Sequence, residues 1–247
     1  MSLPTPDPAL RAAIAADGYA LLAGPRLEAV ATAAAWRELA GDWRHLEVDR
    51  YMADGGRYRL RRYGRFFYRP ASGELKRLPH ATVFQARYIN NFAGGIDRDF
   101  APLREATFVN PFLLALIGFD FACFEVAKPE MLADPWEVWI HQIRIEATGE
   151  SQVKPAPEGI HHDGHDFIAM HFMGRENVAG GGSFLYDNDK KLLQTHMLAR
   201  PLDTIYANDH CVMHAVDPIR PVDSALPAWR DMLIIDFDHK PALQDPG

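Results

Sequence analysis

The sequence predicts a mainly β protein with flanking helices, organised as a jelly roll. Three observations predict it. From Trp136 onward, short β-rich runs follow one another with turn residues between them: WEVWIHQIRIEA, PEGIHHD, DFIAMHFM, GSFLYD, KLLQTHMLA, DTIYA, HCVMHAVDPI and WRDMLIIDF. Eight closely spaced runs match the strand number of a jelly roll and leave little room for helix. The helical patterns are confined to the first half of the chain, where they are expected to pack outside the sheets.

The earlier elements follow from local signals. Asp7 is placed to cap PALRAAIAA, with Pro8 at the first helical position. GYALL reads as a short strand. Alanine-rich sequence over roughly Arg26–Leu39 carries apolar residues at helical spacing and predicts a second helix. In RYMADGGRYRLRRYGRFFYRP an Asp-Gly-Gly sits between aromatic, alternating runs, which signals a hairpin. A third helical patch covers about Pro111–Phe119.

The 247 residues fit one large domain or two small ones, and a hydrophobic fraction of 48% supplies a proper core. No Pro/Gly/Ser-rich linker separates residues 1–135 from the strand-rich 136–239, so both are assigned to a single domain, 1–247. The net charge of −7 argues against a general nucleic-acid binder. Cys123 and Cys211 form no CxxC pair or disulfide framework, so a reduced, cytoplasmic setting is expected. The N-terminus lacks a basic region ahead of an apolar run, and no stretch of about 18 apolar residues occurs, so neither a signal peptide nor a membrane span is expected.

The densest chemistry lies in PEGIHHDGHDF. If PEGIHHD is a strand, His161 and Asp163 share one face and His162 points the other way. Such a pair supplies two ligands to one ion, and His214 on the penultimate strand offers a third. Two histidines and a carboxylate with open positions form the facial triad of non-haem Fe(II) oxygenases, although the same set also accepts zinc. Arg230 opens the last strand. An oxygenase using 2-oxoglutarate must hold that diacid's distal carboxylate, and arginine does so with a planar, two-pronged pair. His210 is a rival ligand if its strand runs unbroken to His214, but Asn208-Asp209 reads as a turn before that strand. His165 and Asp166 are expected around the metal or in solvent. His141, His171 and His196 read as ordinary strand histidines.

The ordered series QIRI, PEGIHHDG, GGSFLYD, NDHCVMHAVDPI and RDMLIIDF resembles the bacterial 2-oxoglutarate/Fe(II) dioxygenase family that includes L-isoleucine dioxygenase. The resemblance spans roughly Tyr88 to Phe237 and touches RLRRYGRFF and YINNFAGGI. It implies a double-stranded β-helix, Fe(II) held by His161, Asp163 and His214, and 2-oxoglutarate gripped by Arg230. It also implies hydroxylation or sulfoxidation of free aliphatic L-amino acids, with O2 as the other small-molecule partner. Asn90, Asn91 and the Gly94-Gly95 turn become a substrate-proximal loop on this resemblance alone. One departure is visible: many 2-oxoglutarate enzymes carry Ser or Thr two residues after the arginine, and this chain has Met232.

Other readings compete for the same residues. Gln142 and Arg144 share one face of the first barrel strand, where they either bind the keto acid or substrate or form a solvent-facing ladder. Gly180-Gly181-Gly182 lacks the Lys-Ser/Thr and following helix of a phosphate loop, so it reads as a tight turn. Arg57, Arg59, Arg61, Arg62, Arg65 and Arg69 interleave with aromatics, a pattern met in nucleic-acid binders. The acidic total charge favours a basic, solvated hairpin face instead, with one arginine reaching the barrel mouth to meet a substrate carboxylate. Two further functions remain: a non-catalytic metal-binding jelly roll, and a zinc hydrolase using Glu158 or Asp166 as base.

Overall fold

The computed structural model describes residues 8–247. Asp7, the expected cap, lies outside the described residues. Helix α1 (Pro8–Asp17) leads through Gly18, at φ +80°, into β1 (Tyr19–Leu22). The second helix is shorter than its alanine pattern: two 3₁₀ turns occupy Gly24–Arg26 and Glu28–Val30, and α2 covers only Ala33–Gly41. The reason is Thr32, whose side chain accepts from Ala35 N–H and starts the helix there. Strands β2 (Glu47–Val48) and β3 (Arg59–Arg69) are antiparallel, with the Asp-Gly-Gly turn in the connection between them. β4 (Glu74–Arg77) folds back on β3. A loop bearing β5 (Val83–Phe84) and β6 (Asp97–Arg98) precedes α3 (Glu105–Phe108) and α4 (Pro111–Cys123). Asn110 caps α4 from the side chain, with Pro111 at its first position.

The strand-rich half begins with β7 (Trp136–Ala147), which has the bounds its sequence predicted. Next come β8 (Phe167–Glu176), β9 (Val178–Gly180), β10 (Ser183–Tyr186), β11 (Leu192–His196) and β12 (Thr204–Asn208). HCVMHAVDPI splits into β13 (Met213–Val216) and β14 (Ile219–Pro221), and β15 (Ala228–His239) closes the series. PEGIHHD is not a strand; it makes one isolated bridge, His161 to His214.

The large sheet has the order β1-β12-β8-β15-β7-β3-β2, with β4 added to β3. The first half of the chain therefore does more than pack on the barrel, because β3 pairs with β7 over ten positions and β1 pairs with β12. The smaller layer is β11-β10-β13 together with β14-β9. Antiparallel strands in two layers give the jelly roll.

Both faces of the large sheet are covered. Val138 and Ile140 of β7, Ala169 of β8 and Leu233, Ile235 and Phe237 of β15 join Leu113, Leu116 and Ile117 of α4 in one core cluster. On the opposite face Ile168, Met170, Phe172 and Met232 pack with Leu185 and Leu198 beneath the smaller layer. A buried His171 crosses to the helical side, where its Nε2 lies 2.8 Å from Asp120 of α4 and its Nδ1 2.8 Å from Thr204 Oγ1. Tyr206 donates to the other Asp120 oxygen at 2.7 Å, so the buried carboxylate is shared by two strands.

Candidate active site

The main cavity opens between the two layers, on the face of β7 that carries His141, Ile143 and Ile145. His161, Asp163, His214 and Arg230 all line it, as the sequence predicts. The backbone explains how. His161 N–H donates to His214 C=O at 3.1 Å and His214 N–H returns the bond at 2.9 Å. Past that bridge the chain leaves the sheet. The Asp209 carboxylate accepts from the N–H groups of Asp163, Gly164 and His165 at 2.6–3.2 Å, which pins the loop. Gly164 sits at φ +89° in the turn. So Asp163 reaches the face of His161 through an anchored loop rather than through strand alternation.

The donor set is compact. One ligand atom from each of His161, Asp163 and His214 lies within 4.8 Å of the others. His161 Nε2 is 3.2 Å from Asp163 Oδ1, and His214 Nε2 is 3.5 Å from Asp163 Oδ2. His161 Nδ1 donates to Gly159 C=O at 2.8 Å, leaving Nε2 free for a metal. Burial would raise the Asp163 carboxyl, but the two imidazoles outweigh it and hold it well below the usual carboxylate range. Burial pushes His214 down. An anionic carboxylate beside two imidazoles that turn a nitrogen inward is the donor chemistry of a facial triad, and the residues fit Fe(II).

Arg230 is 3% exposed and lies under the smaller layer. Among the described residues its guanidinium forms no hydrogen bond or ion pair, and Nε is buried without a partner. Burial pushes it down to about 10, so it remains charged at neutral pH. Gly181, at φ +79°, makes room for it: a Cβ there would lie 3.2 Å from Arg230 Cδ. The triple glycine is thus a turn between β9 and β10 that also clears the arginine. A buried, unpaired guanidinium facing a cavity fits the distal carboxylate of 2-oxoglutarate.

Gln142 and Arg144 do not face this cavity. They share the helical face of β7 with Val138 and Ile140, while the odd positions line the site. Arg144 instead forms a two-pronged pair with Asp231, both bonds at 2.7 Å, and Gln142 is fully buried beside its cross-strand partner Leu233. His210 is also removed from the metal: it is exposed in the turn before β13, 2.7 Å from Asp166.

Other residues enter the site without having been singled out as site residues. His141, read as an ordinary strand histidine, lies in the cavity wall, accepting from Arg61 at Nδ1 (2.7 Å) with Nε2 3.6 Å from Asp236. His165 pairs with Asp238 at 3.1 Å. Burial opposes its charge, but Asp236 and Asp238 outweigh that and lift it to about 10. Of the six arginines in the aromatic run, Arg59 and Arg61 are both buried in the cavity wall, where one was expected at the mouth. Arg62, Arg65 and Arg69 pair with Glu47, Glu137 and Glu74. The signal was present: Arg59, Arg61 and Tyr63 alternate on one face of β3. Asn90 lines the cavity and bonds Glu158 and Gln85, and Gln85 in turn donates to the Asp163 carbonyl at 2.8 Å.

A family model described as 2OG-Fe dioxygenase matches residues 40–236. The chain belongs to this family. 2OG-Fe dioxygenases use Fe(II) and 2-oxoglutarate, the pair that the His-Asp-His cluster and Arg230 fit. The chain is 28% identical over 203 residues to the L-isoleucine-4-hydroxylase of Bacillus thuringiensis, covering 81% of each chain. It is 27% identical over 154 residues, 62% of each chain, to the 3(1)-hydroxy-L-isoleucine 4-dioxygenase of Pantoea ananatis (strain AJ13355). Among solved structures, a bsmA homolog from Methylobium petroleophilum PM1 superposes with a TM-score of 0.84 at 30% identity, covering 100% of this chain and 98% of that one. As a 2OG-Fe dioxygenase the chain is an enzyme, which displaces the non-catalytic and zinc-hydrolase readings.

Proposed function

We propose that this 2OG-Fe dioxygenase hydroxylates a free aliphatic L-amino acid, with Fe(II) on His161, Asp163 and His214 and the distal carboxylate of 2-oxoglutarate on Arg230. The observation that carries the reading is one cavity lined by both a compact His-Asp-His set and a buried guanidinium with no ionic partner. The amino-acid substrate is supported by the isoleucine-oxidising relatives. When bound, Fe(II) would use O2 as the oxidant, one oxygen atom going into succinate as 2-oxoglutarate loses CO2 and the other into the substrate C–H bond as a hydroxyl.

The chain supplies position and seclusion. Asp209 fixes the loop that carries Asp163, and the Gly159 carbonyl fixes the His161 tautomer. Arg230, fully charged and desolvated, orients the keto acid by its far end. Met170, Met232, Leu198 and Ile205 give the cavity an apolar wall on the side of the smaller layer. Met232 stands where many 2-oxoglutarate enzymes place a hydroxyl, so Arg230 carries the carboxylate with little side-chain help from that position.

Succinate release from wild type, measured with Fe(II) and a panel of free aliphatic L-amino acids, tests the reading. Stimulation by one or more of them is expected. Stimulation by peptides or by non-amino-acid compounds alone would overturn the substrate class.

A further inference from the structure

The cavity holds a second group of buried cations, apart from Arg230. Arg59, Arg61 and Arg98 are 6%, 8% and 3% exposed and line the same cavity, Arg59 and Arg61 from β3, which β7 separates from the β15 strand of Arg230. The Arg61 guanidinium lies 3.8 Å from the centroid of the Phe100 ring and that of Arg98 lies 5.3 Å from the same centroid, so both are held beside one ring. One carboxylate stands beside two of the three: Asp49 takes Arg59 at 2.8 Å and lies 3.8 Å from Arg61. Arg98 has no ion pair among the described residues, and its Nε, like that of Arg61, is buried without a partner. Burial and the neighbouring Arg59 push Arg61 down to about 9.

Glu158 lines the same cavity. It accepts from Asn90 Nδ2 at 3.2 Å and forms no ion pair with any described cation. Arg98 and the half-buried Glu158 thus line one cavity without an ion pair, and Arg61 has only a distant share of Asp49. Like charges brought together out of water need a counter-charge. A molecule carrying a carboxylate and an ammonium a few ångströms apart answers both ends at once.

We propose that Arg61 and Arg98 receive the α-carboxylate, and Glu158 the α-ammonium, of the free amino acid substrate. This rests on the amino-acid reading above. Arginine suits the carboxylate end because its planar fork pairs with both oxygens. Asn90 holds Glu158 in place, and its links through Gln85 to the Asp163 carbonyl and to Arg98 (Gln85 Oε1, 2.6 Å) tie the clamp to the loop bearing the metal ligand. Backbone charges on the substrate, rather than its side chain, would then fix its register.

Succinate release decides it, with wild type, Arg98→Gln, Arg98→Lys and Glu158→Gln. Each is assayed with the best aliphatic L-amino acid, its primary amide and its N-acetyl derivative, and calorimetric 2-oxoglutarate binding reports that each variant is folded. Wild type is expected to prefer the free amino acid over both derivatives by at least about tenfold in kcat/KM. Arg98→Gln should raise the amino-acid KM about tenfold or more and erase the acid-over-amide preference alone, with Arg98→Lys partly restoring it. Glu158→Gln should erase the amine-over-N-acetyl preference alone. If both variants keep both preferences, or lose both together, the clamp is wrong and the function stands. If wild type turns over no free amino acid, the function reading falls and the clamp with it.

Discussion

His161 and His214 are joined through the main chain as an isolated antiparallel bridge, N–H to C=O at 3.1 and 2.9 Å in the two directions, with ring centroids 4.4 Å apart. The bridge sets the spacing of the two backbones, and the Gly159 carbonyl orients the His161 ring. The bridge carries one histidine from the end of a loop and the other from β13, and it fixes their separation before any metal arrives. Such a bridge preorganises the backbone of the site, and side-chain hydrogen bonds such as His161 Nδ1 to the Gly159 carbonyl complete the geometry.

Arg230→Ala should raise the KM for 2-oxoglutarate by roughly 10²-fold. Truncating one member of a buried charge pair costs about 2–5 kcal/mol, and about 1.4 kcal/mol is a decade in affinity. Steady-state kinetics with varied 2-oxoglutarate checks it, and a KM within about threefold of wild type would remove Arg230 from that role.

Gly181→Ala tests the same pocket without touching its charge. The new Cβ meets Arg230 Cδ at 3.2 Å and Ile219 Cγ2 at 3.1 Å, at a φ of +79° that favours glycine. A destabilisation of about 1 kcal/mol is expected, together with a several-fold higher KM for 2-oxoglutarate as the guanidinium is displaced. Thermal unfolding and kinetics on one preparation separate the two effects.

Arg144→Met should leave the KM for 2-oxoglutarate within about twofold of wild type and lower the melting temperature, because Asp231 loses its two-pronged partner beneath the sheet. A large KM effect would restore Arg144 to the cofactor site.

Asp120→Ala removes the acceptor shared by His171 and Tyr206 in a fully buried position. Leaving both partners unsatisfied is expected to cost about 3 kcal/mol, roughly 6–12 °C in melting temperature for a chain of this size. Differential scanning calorimetry reads it directly.

The sequence made the jelly roll legible because its strands are short, aromatic and β-branched, and turns punctuate them. It also brought His161, Asp163, His214 and Arg230 together, by residue chemistry and family resemblance more than by strand alternation, since PEGIHHD is a loop stitched to β13. Gln142 and Arg144 went to the wrong side for a physical reason. Both faces of β7 are covered, one by helices and one by the smaller layer, so its side chains show no apolar-polar alternation to reveal which face meets the cavity. Arg98 was illegible because it sits on a two-residue strand inside a long loop, and only the folded loop places it beside Arg61. Asp236 and Asp238 alternate openly on β15, but their pairing with His165 from a distant loop is something spacing does not display.

Anaerobic visible absorption on adding Fe(II) and then 2-oxoglutarate, with wild type and His214→Ala in parallel, tests the central claim that the His-Asp-His set binds the iron that chelates the keto acid. The account predicts a charge-transfer band in wild type and none in His214→Ala. A band of equal strength in both proteins, or no band in wild type, would contradict it.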